Sequence, residues 1–149
     1  MFFIAEVDGT PASAMCGFDA DAHGWEAVFR LAAPFAVELG ATLDDDFMQR
    51  VMLLGSVSLE HEPGAWIVEN VATLPEYRRL GLLDLLFKQI LDRGRKNGHT
   101  HSQIGVLIGN DRARNAYLKQ GFEFREEKRN PELGEAFGSP GGERLVMPL

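Results

Sequence analysis

Residues 66–91, WIVENVATLPEYRRLGLLDLLFKQIL, constrain this chain more than any other stretch. Trp66–Thr73 is rich in β-branched and aromatic residues, the composition of a buried strand. Leu74 to Arg79 holds a proline and two arginines, so it reads as a positively charged turn. From Leu80 onward the period changes. Leu83, Leu86, Phe87, Ile90 and Leu91 fall at helical spacing on one face, and Asp84, Lys88, Gln89, Asp92 and Arg93 cover the other.

Such a turn has a physical use. The first turn of a helix leaves backbone N–H groups without partners, and the macrodipole makes that end positive. Gly81 carries no Cβ to obstruct an approaching anion, and Arg78 and Arg79 add charge. The stretch therefore reads as a phosphate site. Solvated arginines on an ordinary strand–helix turn are the plainer alternative.

The spacing Arg78-x-x-Gly81-x-Leu83, preceded by Pro75-Glu76-Tyr77, resembles the pyrophosphate loop of the GNAT superfamily of acetyl-CoA-dependent N-acetyltransferases. That loop runs Gln or Arg, two residues, Gly, one residue, then Gly or Ala. A second block agrees: Asn110, Ala113, Tyr117 and Gly121-Phe122 follow the family's later pattern, in the expected order. The resemblance is sharp from Trp66 to Phe122. Two residues depart from it. Leu83 stands where the family prefers Gly or Ala and crowds the loop. Asp84 stands where a Ser or Thr often meets phosphate, and a carboxylate there repels a pyrophosphate by on the order of a few kcal/mol at close range. These departures keep a second reading open, a non-catalytic acyl-CoA-binding or interaction module on the same fold.

The fold that the resemblance implies is α/β in the α+β sense: a mixed, mostly antiparallel sheet flanked by helices. A single domain is expected over residues 1–149. Residues 2–7 read as a strand, Asp8-Gly9-Thr10-Pro11 as a hairpin turn, and residues 12–18 as the returning strand. Against the family's order these are its second and third strands. The chain is therefore expected to lack the usual first strand and first two helices, which form one wall of the acceptor site. A helical insertion is expected at about 23–55. Its first helix spans 23–39 around Trp25, Val28, Phe29, Ala32 and Phe35. Its second starts at Asp44, Asp45 and Asp46, carries an apolar stripe of Phe47, Val51, Met52 and Leu54 that reads as core rather than interface, and stops at Gly55. These helices cover the bared wall or join two copies in a homodimer. Residues 56–64 read as a linker. Strands follow at 103–108, 122–127 and 145–148, with a helix opened by Asn110 and closed by Gly121. Residues 130–142, loaded with Gly, Pro and Glu, read as a long loop.

The resemblance also assigns roles. The family's fourth strand bulges away from the fifth, and its free backbone binds the pantetheine arm as an added strand. By position, Val71 and Thr73 supply those groups, with an amide near Val71 polarising the thioester carbonyl. Arg78, Arg79, Gly81, Leu82 and Leu83 form the phosphate loop, and Asn110 lines the same site while capping its helix. Tyr117 is the general acid for the departing thiolate. The plainer reading of Tyr117 is a buried aromatic. Glu69 is the candidate base for the incoming ammonium, or else a strand glutamate facing solvent or an arginine, and Asn70 is placed to orient substrate.

Composition narrows the partners. A net charge of −7 gives nucleic-acid binding no electrostatic support and suits cationic amines. No apolar run is long enough to span a bilayer. The single cysteine, Cys16, excludes an intramolecular disulfide and reads as core; with no leader-like apolar segment at the start, the protein is expected in the cytoplasm. No metal is expected. His99 and His101 read as a surface turn, and His23 and His61 as loop residues. The expected activity is transfer of an acetyl group from acetyl-CoA directly to a primary amine. The sequence leaves the acceptor open: peptide N-terminus, lysine, polyamine, antibiotic and small amine all suit this chemistry.

Overall fold

The computed structural model describes residues 1–21, 34, 37, 38, 40, 42 and 44–149. Its sheet has six strands: β1 (Phe2–Val7), β2 (Thr10–Asp19), β3 (Trp66–Thr73), β4 (His101–Leu107), β5 (Glu123–Arg129) and β6 (Gly141–Pro148), in the order β1-β2-β3-β4-β6-β5. Among the described residues only β3 and β4 run parallel; every other neighbouring pair is antiparallel. The described helices are α1 (Asp45–Ser56), α2 (Leu82–Lys96), α3 (Asp111–Lys119) and α4 (Pro131–Phe137). This is the mixed, mostly antiparallel sheet flanked by helices that the sequence leads one to expect.

The β1–β2 hairpin closes on Asp8 and Gly9 at φ of 52° and 78°, the paired positive values that a two-residue hairpin turn requires. Thr10 and Pro11 belong to β2 rather than to the turn. Period-two alternation along β3, β4 and β6 sends Trp66, Val68, Ile104, Leu145 and Met147 to one face. There they pack with Leu86, Phe87 and Ile90 of α2 and with Tyr117 and Phe122. The opposite face carries Ile67, Phe18, Cys16 and Ala65 in a smaller cluster. Gly94 lets α2 lie close to β3, because a Cβ there would stand 2.8 Å from Cγ of Trp66.

Several expected boundaries move. The helix expected at 23–39 lies outside the described residues except for Pro34, Val37 and Glu38. Asp44 does begin α1, accepting from the Phe47 N–H at 2.9 Å. Gly55, expected to stop this helix, lies inside it, and Val57 is the C-cap. The stripe of α1 is not core. None of its residues is buried, and Met52 is 72% exposed, because among the described residues α1 packs chiefly against the short α4. The loop expected at 130–142 contains α4. Asn130 caps it by accepting from the Glu132 N–H at 3.0 Å, Pro131 opens it, and Gly138 at φ 68° ends it. Gly141 and Gly142, also assigned to that loop, pair with β4 and β5 as the start of β6.

Candidate active site

The site begins with a defect in the sheet. Ala14 pairs with Ala72 and Cys16 with Glu69, so β3 holds one more residue than β2 between these pairs. That bulge contains Asn70, a non-glycine residue at φ 54°, which turns the strand. Pairing of β3 with β4 is confined to Trp66–Ser102, Ile67–Gln103 and Val68–Ile104. Past Val68 the two parallel strands part. Ser13 donates to the carbonyl of Ala72 at 2.9 Å, and the N–H of Leu74 donates to Ala12 at 3.0 Å. Residues 72 and 74 therefore face β2, and strand alternation turns the backbone of Val71 and Thr73 into the gap. Arg78 Nε already donates to the Thr73 carbonyl at 3.2 Å, so part of that edge is engaged from within.

A cleft of about 680 Å³ opens from this gap, and it gathers Val71, Thr73, Arg78, Arg79, Gly81, Leu82, Leu83, Asn110 and Tyr117. A single 3-10 turn (Pro75–Tyr77) leads from β3 into the loop. Arg79 at φ 67° and Gly81 at φ 75° curl the backbone into the start of α2. Leu85 makes the first bond of the helix ladder, donating to Gly81 at 3.1 Å. The N–H groups of Leu82, Leu83 and Asp84 precede it, and no side chain caps this end. The conformation, rather than crowding, is what requires glycine at 81, since a Cβ there would meet open space.

Electrostatics favour an anion more than the sequence suggests. Asp84, expected to repel phosphate, turns toward the end of α3, where Lys119 Nζ donates at 2.7 Å and Gln120 Nε2 at 2.6 Å. The Lys119 hydrogen bond, aided by Gln120, holds its carboxyl below the usual carboxylate range. Arg112 and Lys119 join Arg78 and Arg79 around the cleft. The sequence reading missed both of these α3 cations. The small residues Ala113 and Ala116, on the same helix face as Asn110 and Tyr117, were the readable sign that α3 leaves room for a ligand.

Asn110 caps α3 by accepting from the Ala113 N–H at 3.2 Å and lines the cleft as well. Tyr117, 7% exposed, packs edge-on against Phe87 with centroids 5.9 Å apart. Burial raises its hydroxyl above the ordinary phenol value, which keeps it protonated and able to donate. The plainer of its sequence readings holds, since the ring is core, and the residue also lines the cleft.

Glu69 lies elsewhere. It shares the face of Ile67 and lines a second cavity of about 290 Å³ on the other side of the sheet, with His61, Gln103, Glu143 and Arg144. Burial raises its carboxyl above the ordinary value, the direction a general base at neutral pH needs. His61, read from sequence as a loop residue, holds its Nε2 3.9 Å from Glu69 Oε1; no spacing in the chain announced this pairing. Asn70, exposed at the bulge, lines neither cavity. His99 and His101 do not form a surface turn. His99 shares a 2.9 Å hydrogen bond with the Gly64 carbonyl and packs on Trp66, and His101 opens β4 facing Glu62 at 3.5 Å. Among the described residues no three His, Cys, Asp or Glu side chains converge on a metal position, and no helix is long and apolar enough to cross a membrane.

This architecture recurs in solved structures. Ribosomal-protein-S18-alanine N-acetyltransferase from Escherichia coli is similar over 99% of this chain and 68% of its own, at 16% identity and a TM-score of 0.59. An N-acetyltransferase from Staphylococcus aureus Mu50 is similar over 98% and 69%, at 20% identity and a TM-score of 0.61. A Bacillus subtilis acetyltransferase solved in complex with CoA is similar over 61% and 65%, at 18% identity and a TM-score of 0.53. No curated protein matches the sequence. The model of the acetyltransferase (GNAT) family matches residues 1–122, most of the chain, and the protein belongs to that family.

Proposed function

We propose that the protein transfers an acetyl group from acetyl-CoA to a primary amine. The observation that carries this reading is the parting of β3 from β4 beside an uncapped, cation-ringed helix N-terminus. The residues fit the cosubstrate. Arg78, Arg79 and the first-turn N–H groups of Leu82 and Leu83 suit a pyrophosphate, with Gly81 leaving the backbone bare beside it. The free backbone of Val71 and Thr73 suits the amide-bearing arm by strand addition, and an amide at Val71 suits the thioester oxygen. Asn110 and Tyr117 line the end of the cleft nearest α3. When bound, acetyl-CoA supplies an acyl group already activated as a thioester, so this reading uses no covalent enzyme intermediate. Tyr117 donates a proton to the leaving sulfur, and Glu69 accepts one from the amine on the opposite face. The Escherichia coli neighbour is named for acetylation of a protein's alanine, which supports an amine as the acceptor class.

Calorimetric titration with acetyl-CoA, followed by thiol release in the presence of amines, tests this reading. Micromolar binding and amine-dependent thiol release are expected. Tyr117→Phe should lose rate by roughly a hundredfold or more and keep its affinity for acetyl-CoA. Binding without thiol release for any amine would favour the non-catalytic module; absence of binding would remove the phosphate-loop assignment.

A further inference from the structure

Residues 57–65 cross the sheet face opposite the cleft and are tied down on both sides of one residue. Arg144 Nη1 donates to the Glu60 carbonyl at 2.6 Å, and Gln103 Nε2 donates to it at 3.4 Å. The N–H of Glu62 donates to Gln103 Oε1 at 2.9 Å. Between these two anchored peptides stands His61. Its ring packs edge-on against Phe18, with centroids 5.8 Å apart, and its Nε2 lies 3.9 Å from Glu69 Oε1. That distance is too long for a direct hydrogen bond. It does allow one nitrogen to sit about 2.9 Å from both atoms.

The chemistry calls for a second base there. Turning an ammonium into an amide removes two protons from nitrogen, and one carboxylate holds one. Among the described residues, Glu143 and Arg144 of β6 and Glu62 of the same 57–65 segment are the other charged groups beside His61. Glu143 accepts from Arg114 Nε at 2.7 Å, Glu62 is paired with Arg144 and Arg125 at 3.3 Å, and Arg144 has no proton to lose at neutral pH. Burial and the positive charge of Arg144 lower the imidazole's proton affinity, so His61 stands neutral with a lone pair free.

Building on the acetyl-transfer reading, we propose that His61 is a second catalytic base. The acceptor nitrogen lies between His61 Nε2 and Glu69 Oε1, in the cavity of about 290 Å³, and each group takes one of its two protons. The C–N bond forms and the C–S bond breaks. Sulfur gains a proton from Tyr117 that solvent restores, and one proton is released overall.

Thiol release from acetyl-CoA is measured for the parent, His61→Gln and Glu69→Gln from about pH 4 to about pH 9, across the carboxylate and histidine ranges. The amines are phenethylamine, spermidine and an alanine-terminated tripeptide. The parent's kcat/KM is expected to fall on the acid side with the slope of two protons, and each variant with the slope of one. His61→Gln should lose roughly a hundredfold in rate with acetyl-CoA affinity unchanged by calorimetry. Parental rate in His61→Gln, or a reduced rate that keeps the two-proton slope, overturns the proposal while leaving acetyl transfer intact. A parent that transfers to none of these amines overturns acetyl transfer itself, and the role of His61 with it.

Discussion

Gly81→Ala separates the two uses of the phosphate loop, as a fold element and as a binding surface. Gly81 sits at φ 75°, and a Cβ built there meets nothing within 4 Å. The cost to the free protein is therefore conformational alone. A left-handed alanine costs about 1–2 kcal/mol, which for a chain of this length lowers Tm by roughly 2–8 °C. The open space is the space a phosphate would occupy, beside the uncapped N–H groups of Leu82, Leu83 and Asp84. A methyl group there pushes an anion off hydrogen-bonding distance from at least one of them. Loss of one charge-assisted bond, about 1.5–3 kcal/mol, weakens acetyl-CoA binding roughly ten- to a hundredfold. Differential scanning calorimetry gives the first quantity and isothermal titration the second. The expected result is a modest fall in Tm with a disproportionate loss of affinity. A fall in Tm with parental affinity would show that the anion does not lie against Gly81, and the argument from bare backbone would fail.

The remaining predictions follow from burial. Glu69 has a raised carboxyl pKa in the folded protein, so its ionisation opposes folding above that value and is without effect below the ordinary carboxylate range. Glu69→Gln should then be more stable than the parent at neutral pH, with the gain shrinking as pH falls toward about 4. Chemical denaturation at the two pH values checks it, and an equal gain at both would contradict the burial argument. Gly94→Ala brings a Cβ to 2.8 Å from Trp66 Cγ and 2.9 Å from Leu149 Cδ1. Overpacking of about 1–3 kcal/mol outweighs the gain in helix propensity of about 1 kcal/mol, so a lowered Tm is expected. An unchanged or raised Tm would mean that α2 shifts freely on β3.

Much of the fold was legible where its determinants are local. Asp8-Gly9 announces its turn, Asn110 its cap, and residues 66–91 carry strand, loop and helix in one run. Glycines misled where packing decides. Gly141 and Gly142 look like loop residues, yet a Cβ at Gly141 would collide with the backbone carbonyl of Lys128 and stand 2.9 Å from Arg129 Cα. Glycine there marks the close approach of β5, not a break in the strand. In α4 the signals were present, Asn130 before Pro131 and Gly138 after, but only Leu133 is buried. An apolar period had almost nothing to show.

The same contrast divides the site. Its cleft side is built from two contiguous blocks, Val71 to Asp84 and Asn110 to Lys119, so a family motif can make it legible. Even there the partner of Asp84 was out of reach of local reasoning, because Lys119, which pairs with its carboxylate, is 35 residues away. The opposite side has no contiguous block. His61 is aimed by Gln103 and Arg144, through contacts 41 and 84 residues apart in the chain, onto a glutamate in a third element. Glu69 could be singled out from its strand, but no periodicity or motif records its pairing with His61, which alone reads as a loop residue. A cosubstrate shared by a family is met by a local motif. An acceptor particular to one protein is met by residues brought together only by the sheet. On the proposed reading, sequence reasoning reaches the cosubstrate and one candidate base but not the second, and the His61–Glu69 pair is where the acceptor's chemistry becomes testable.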